Sequence, residues 1–257
     1  MTFIISAMLP FGMITSELQG IIYVRHYLYY TRTDVVRFFY VFSKLNKPMK
    51  YAFLMKTLLH LGFQLTLTGI TMERLNSSMK KYTLNQKPIW FFLFLFVAFM
   101  LTILISNESI PAPVRFGLFC VFSILKGLLI ATLFKDRNVS SDSVKKAVFE
   151  TLGIFTLMSV VGILLLQSGV SIAPLMFATI LFNITLIFVL IYILFNKVDD
   201  EKIRIFRMAV ILLMMLYIII HTHTNLNTRV KNDLMISTLN YYINVISIFR
   251  NLVLSDD

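Results

Sequence analysis

Ile205-Phe206-Arg207-Met208-Ala209-Val210-Ile211-Leu212-Leu213-Met214-Met215-Leu216-Tyr217-Ile218-Ile219-Ile220-His221 is an apolar run that stops in the polar cluster His221-Thr222-His223-Thr224-Asn225. A second run, Met235 to Leu254, follows closely and carries Asn240, Asn244 and Arg250 within otherwise apolar sequence. Lipid tolerates polar groups at depth only at a cost, so two adjacent spans that carry them point to a functional core. The other reading is that His221 and His223 merely end a helix in the headgroup region. The two histidines are two positions apart and point to different faces of a helix, so only one can look inward.

The rest of the chain agrees with a membrane setting. Its 257 residues are 58% hydrophobic with a mean hydropathy of +0.79, above the roughly 45–50% apolar content of a soluble domain. The net charge of +11 reads as membrane-surface anchoring. Lys and Arg sit in short loops between apolar runs, where they meet anionic headgroups. No basic stripe is long enough to track a nucleic-acid backbone. Cys120 is the single cysteine, which excludes an intrachain disulfide framework. The first residues lack the basic start and small-residue cleavage site of a signal peptide.

Seven runs of spanning length follow residue 48: about 51–71, 89–106, 114–134, 147–167, 172–196, 204–221 and 235–254. Each can cross a hydrocarbon core of about 30 Å at about 1.5 Å per residue. Small residues inside them (Gly62, Gly127, Gly153, Gly162, Ser159, Thr179) allow close helix approach. The expected architecture is an all-α, seven-transmembrane-helix bundle over residues 49–257. Ahead of it lies an N-terminal segment, 1–48, that is partly interfacial. Residues 2–24 are broken by Pro10 and carry Glu17 and Gln19, which makes a poor spanning helix. Residues 18–43 interleave Tyr23, Tyr27, Tyr29, Tyr30, Phe38, Phe39 and Tyr40 with Arg25, Arg32 and Arg37, the composition of an interfacial helix.

Short motifs in the spans resemble the transmembrane Bax inhibitor family, of the Golgi anti-apoptotic and Lifeguard-like kind. Tyr217-Ile218-Ile219-Ile220-His221-Thr222-His223 is similar to the end of that family's sixth helix, where an Asp-Thr pair is usual. Thr238-Leu239-Asn240-Tyr241-Tyr242-Ile243-Asn244-Val245-Ile246-Ser247-Ile248-Phe249 resembles its seventh helix. Phe53-Leu54-Met55-Lys56 with Gln64-Leu65-Thr66 resembles its first, and Leu166-Gln167-Ser168 the exit of its fourth. The resemblance implies a multi-pass protein of endoplasmic reticulum or Golgi membranes that inhibits apoptosis and modulates calcium release from intracellular stores. Its implied partners are the lipid bilayer, calcium or protons as permeant ions, and membrane proteins of the cell-death pathway; nucleic acid is not among them.

The family's gate is a pair of aspartates on helices six and seven that share a proton. Here His221 stands at the first position and Asn244 at the second. Lys126 replaces a third acid, in Phe122-Ser123-Ile124-Leu125-Lys126-Gly127. Exchanging an anion for a cation about 8 Å from a permeating ion costs roughly 4 kcal/mol for a monovalent ion and roughly 8 for calcium, at an effective dielectric constant near 20. The altered gate would comprise His221, Asn244, Lys126 and Asn240. Glu150, one turn into the fourth span, is the available partner for Lys126. Lys56 and His60 read as a snorkelling lysine and a packed histidine, and Asn183 as a link between helices. No pattern of enzyme catalysis or metal ligation is present, so neither cofactor nor metal is expected. A rival from another class is a non-conducting interaction protein that keeps the bundle and binds membrane partners.

Orientation draws two opposed arguments. Loops after spans one, three and five carry twelve Lys or Arg, against Arg115, Arg229 and Lys231 in the others, which places the first group in the cytosol. The family resemblance implies a cytosolic N-terminus instead, and would leave the sequons at Asn76 and Asn138 lumenal.

Overall fold

The computed structural model describes residues 47–78, 88–136, 139–196, 198–227 and 233–255. Among them are seven helices and no strand: α1 (Lys47–Ser78), α2 (Pro88–Ser106), α3 (Ala112–Asp136), α4 (Ser141–Gln167), α5 (Ala173–Phe195), α6 (Asp200–Leu226) and α7 (Leu234–Val253). The expected interfacial segment at 18–43, the weak span at 2–24 and the sequon at Asn138 lie outside the described residues. Each of the seven expected runs coincides with one helix. Four of them, Ala112–Phe134, Ser141–Gln167, Ala173–Ile193 and Asp200–Leu226, are long and apolar enough to cross a membrane. The protein is an all-α membrane bundle.

The helix ends depart from the apolar runs for local reasons. α4 begins six residues before the run, because Ser140 Oγ accepts the Ser143 N–H at 3.0 Å and Asp142 favours the positive end of the helix. α6 does not stop at His221. It continues through the polar cluster to Leu226, and His221, Thr222, His223 and Asn225 are all buried there. The cluster forms the last turn and a half of α6, and it is buried; both histidines lie inside, although their spacing suggests that only one can. Its polar groups are held inside protein, where neighbouring helices supply partners.

The bundle is built as two groups of three helices around a seventh. α3 packs on α1 and α2; α6 packs on α4 and α5; α7 touches α1, α2, α3, α4 and α6. Burial follows this plan. Fifteen of the twenty residues of α7 are buried, whereas α5 turns Phe177, Leu181 and Phe188 outward and α4 turns Phe149 and Leu157 outward. The most apolar surfaces face out and the polar helix lies within. In lipid, where burying a leucine against protein gains little, polar and packing contacts decide which helix goes inside.

Two glycines set the closest approaches. A Cβ on Gly162 would lie 2.8 Å from the Ile219 carbonyl oxygen and 2.8 Å from Thr222 Cβ, so α4 meets α6 backbone to backbone. A Cβ on Gly127 would lie 2.7 Å from the Thr68 carbonyl oxygen, which joins α3 to α1 in the same way. Gly153 faces open space. We expect Gly162→Ala to destabilise by about 1–3 kcal/mol through overpacking. Gly153→Ala should be neutral or slightly stabilising, since alanine is the better helix former. Thermal unfolding of the two variants in one detergent measures the difference.

Candidate functional site at the central helix

Tyr241 and Tyr242 are adjacent, so their side chains leave α7 about 100° apart, and each engages a different group of helices. Both are fully buried. Tyr241 Oη lies 2.8 Å from Thr222 Oγ1 on α6, and its ring meets Phe155 of α4 edge-on at 5.6 Å and His221 at 6.1 Å. Tyr242 Oη lies 2.7 Å from Thr68 Oγ1 on α1, and its ring packs on Phe119 at 5.4 Å and Phe122 at 5.7 Å, both on α3. The Thr68 contact opens into a network in which Ser123 Oγ donates to Gln64 Oε1 at 2.6 Å and Thr68 bonds the Gln64 and Ser123 carbonyls. Gln64, from the sequence's first-span motif, thus joins α1 to α3. A hydroxyl buried this way needs its partner.

The register of α6 against α7 follows from two bonds. Ser237 Oγ donates to Asn225 Oδ1 at 3.0 Å, and the Thr222–Tyr241 contact lies one turn deeper. The helices therefore run antiparallel. His221 stacks on Tyr217 one turn before it (6.0 Å, 18°) and meets α7 at Tyr241. Tyr217 Oη in turn accepts the Asn183 amide of α5 at 2.7 Å, the inter-helix link that the sequence suggested for Asn183. Asn244 lies three residues, about 4.5 Å, further along α7 than Tyr241. It is buried, and its Nδ2 has no hydrogen-bond partner.

Asn244 belongs to a longer stripe. Ser237, Asn240, Asn244, Ser247 and Asn251 recur at intervals of three and four, which places them on one face of α7, and all five are buried. Asn251 Nδ2 donates to the Ser247 carbonyl at 2.7 Å. Other buried atoms without a partner sit on the neighbouring helices: Ser159 Oγ and Thr151 Oγ1 on α4, Asn183 Oδ1 on α5 and His223 Nδ1 on α6. The five-residue face of α7 is polar but neutral.

Of the remaining sequence candidates, Lys126 and Glu150 are not brought together. Lys126 Nζ stands over the Phe122 ring at 5.3 Å, while Glu150 meets Lys146, one turn away on its own helix, at 3.9 Å. The reason is the packing plan: α3 lies against α1, α2 and α7, and α4 lies against α6 and α7. His60 Nδ1 approaches the Lys56 carbonyl at 3.1 Å, and its ring meets Phe116.

A charged contact that the sequence did not disclose closes the opposite end. Asp233 caps α7, its Oδ1 accepting the N–H groups of Met235 (2.8 Å) and Ile236 (3.1 Å). Its Oδ2 accepts Arg115 Nη2 at 2.6 Å, and Arg115 Nη1 donates to the Ile105 carbonyl at 3.4 Å. One arginine therefore ties the α2–α3 connection to the start of the central helix. Burial by itself would raise the Asp233 carboxyl. The Arg115 hydrogen bond and charge, with the N–H groups of Ile236 and Met235, outweigh it and hold the carboxyl below the usual range.

A family model described as "Inhibitor of apoptosis-promoting Bax1" matches residues 50–254, which spans all seven helices. The chain belongs to the Bax inhibitor family. No curated protein and no solved structure gives a match. Within the Bax inhibitor match, the helix that carries both tyrosines and the asparagine stripe is the central one.

Because the Asp233 carboxyl is depressed in the folded state, its contribution to stability is full above the unfolded-state value near 3.8. It is lost as pH falls below that value and through the lower folded-state one. Asp233→Asn keeps a good cap but leaves Arg115, which is only 6% exposed, without its anion. It should cost about 3 kcal/mol at pH 7 and weaken the acid dependence below pH 4. Melting curves of both proteins between pH 3 and 7 measure this. Tyr242→Phe removes one buried hydroxyl that bridges α7 and α1, and should cost roughly 1 kcal/mol in the same assay.

Proposed function

We propose that this Bax inhibitor family protein restrains cell death from endoplasmic reticulum or Golgi membranes as a non-catalytic, multi-pass protein that does not itself carry calcium. One observation supports this reading. Among the described residues, the inward stripe of α7 and the α6 face opposite hold amides, hydroxyls and imidazoles, and no carboxylate. The half-buried Asp233 is engaged by Arg115 at one end of the bundle, and Glu150 meets Lys146 on the outside of α4. A divalent cation that leaves water needs oxygen ligands of which several are charged. A neutral stripe with Lys126 on the adjoining helix supplies the opposite field, whose cost near a permeating calcium ion runs to several kcal/mol.

The site residues keep distinct parts in this proposal. His221 and Asn244 occupy the two positions of the altered gate, with Asn240 on the same stripe and Lys126 raising the barrier to cations. The bundle then acts through its membrane partners, proteins of the cell-death pathway. A second reading, residual calcium or proton leak, draws support from the buried polar atoms without partners, since water drawn to them would make the stripe conductive to small ions.

Flux separates the two readings. Liposomes that contain the purified chain and an internal calcium dye should show no calcium entry above empty liposomes between pH 5.5 and 7.5. His221→Asp/Asn244→Asp should raise entry at least tenfold, by restoring an acid at each of the two gate positions. Calcium entry through the wild-type chain would overturn the non-conducting proposal.

A further inference from the structure

α5 packs chiefly on α6, whereas α4 packs on both α6 and α7. The outer surface of α5 is apolar: Phe177, Leu181, Ile184, Phe188, Tyr192 and Phe195 are all exposed. Its two threonines direct their hydroxyls to carbonyls of their own helix, Thr179 to Leu175 at 2.7 Å and Thr185 to Leu181 at 2.9 Å. Asn183 does not. It lies near the middle of α5 and is buried, and its Nδ2 donates to Tyr217 Oη on α6 at 2.7 Å. This is the amide's one hydrogen bond among the described residues, since Asn183 Oδ1 has no partner.

Tyr217 carries the contact inward. Its ring stacks on His221, one turn further along α6, at 6.0 Å and 18°. His221 meets Tyr241 edge-on at 6.1 Å, and Tyr241 Oη lies 2.8 Å from Thr222 Oγ1. Touching side chains thus run without a break from a lipid-facing helix to His221 and on to the central helix. Such a run passes on a displacement only where its outer element has two arrangements that something biases. The bilayer supplies that bias. The spanning part of α5, Ala173–Ile193, has 21 residues, about 30 Å at about 1.5 Å per residue. That length matches a hydrocarbon core of about 30 Å, so a thinner bilayer tilts the helix and a thicker one draws it upright. α6 is longer, at 27 residues, and is clamped by α4 and α7, so α5 moves against it. Hydrocarbon offers the Asn183 amide no other partner, and the bond is kept while Tyr217 follows.

We propose that Asn183 and Tyr217 are positioning residues through which α5 sets the orientation of the His221 ring, so that this site responds to the thickness of the surrounding bilayer. The two parts of Tyr217 have separate tasks. Its hydroxyl takes the pull from α5, and its ring transfers it to the imidazole by stacking. The inference rests on His221 as a gate position for its meaning, but not on whether calcium passes. Ring orientation is read by a signal in which calcium flux has no part, so this proposal and the non-conducting one fail separately.

The test uses the full chain with isotope-labelled histidine in nanodiscs of dimyristoleoyl, dioleoyl or dierucoyl phosphatidylcholine, bilayers of increasing thickness with one headgroup, at one pH. The Tyr217 and Tyr241 rings shield His221 according to their geometry, so its ring resonances report orientation by nuclear magnetic resonance. They are assigned by their absence in His221→Gln. In the wild type these resonances should move progressively from the thin bilayer to the thick one. The movement should be lost in Asn183→Leu and in Tyr217→Phe, which removes the hydroxyl alone and keeps the stacked ring. Thr185→Val, on the exposed side of α5, should behave like the wild type. Resonances of His221 that stay fixed across the three bilayers overturn the proposal. So does a movement that survives undiminished in both Asn183→Leu and Tyr217→Phe.

Discussion

Two neighbouring hydroxyls hold this bundle together. Tyr241 reaches α6 and α4, and Tyr242 reaches α1 and α3. Because consecutive side chains diverge by about 100°, one short segment of α7 can tie together two helix groups that otherwise meet chiefly where α1 touches α6. The arrangement needs the tyrosines to be interior, and that in turn needs α7 to be surrounded. A peripheral α7 could serve one group but not both. The two glycine contacts are subordinate to this plan, since Gly127 closes α3 on α1, Gly162 closes α4 on α6, and neither crosses the divide.

The inversion of polarity follows from the same constraint. α5, with its outward phenylalanines, is apolar enough for lipid on most of its surface, whereas α7 carries serine, threonine and asparagine on the face that lipid would have to solvate. Hydrocarbon offers these groups nothing, and the interior offers Asn225, Thr222, Thr68 and the backbone. Asp233 adds a fixed start to the helix and Arg207 a fixed end. The central helix is thus held at both ends by charged or carbonyl contacts and at its middle by tyrosine.

Much of this was legible in the sequence, and what was not has physical causes. Seven apolar runs mark seven helices because spanning length is a strong signal. Family membership was readable from short motifs on α1, α6 and α7, and the family match covers the same region. The continuation of α6 past His221 was hidden, since His-Thr-His-Thr-Asn looks like a helix end until Ser237 is seen to satisfy Asn225. Tyr241 and Tyr242 were quoted only as part of a motif. An aromatic pair in an apolar run gives no sign of which groups its hydroxyls reach. The Arg115–Asp233 pair joins residues 118 apart, and each looks like an ordinary loop charge. Lys126 and Glu150 were matched by charge, but pairing depends on which helices share a face, and α3 and α4 look to different neighbours.

The central claim is that α7 lies inside the bundle on every side. Single nitroxide labels along α7, at Leu239, Ile243, Val245 and Ile248, and along α5, at Leu181, Ile184 and Phe188, test it through their collision rate with oxygen dissolved in the lipid. All positions on α7 should be shielded, with no helical periodicity, while those on α5 should be readily reached. Oxygen access along α7 that rises and falls every three to four residues, as on a helix with one face in lipid, would contradict the account.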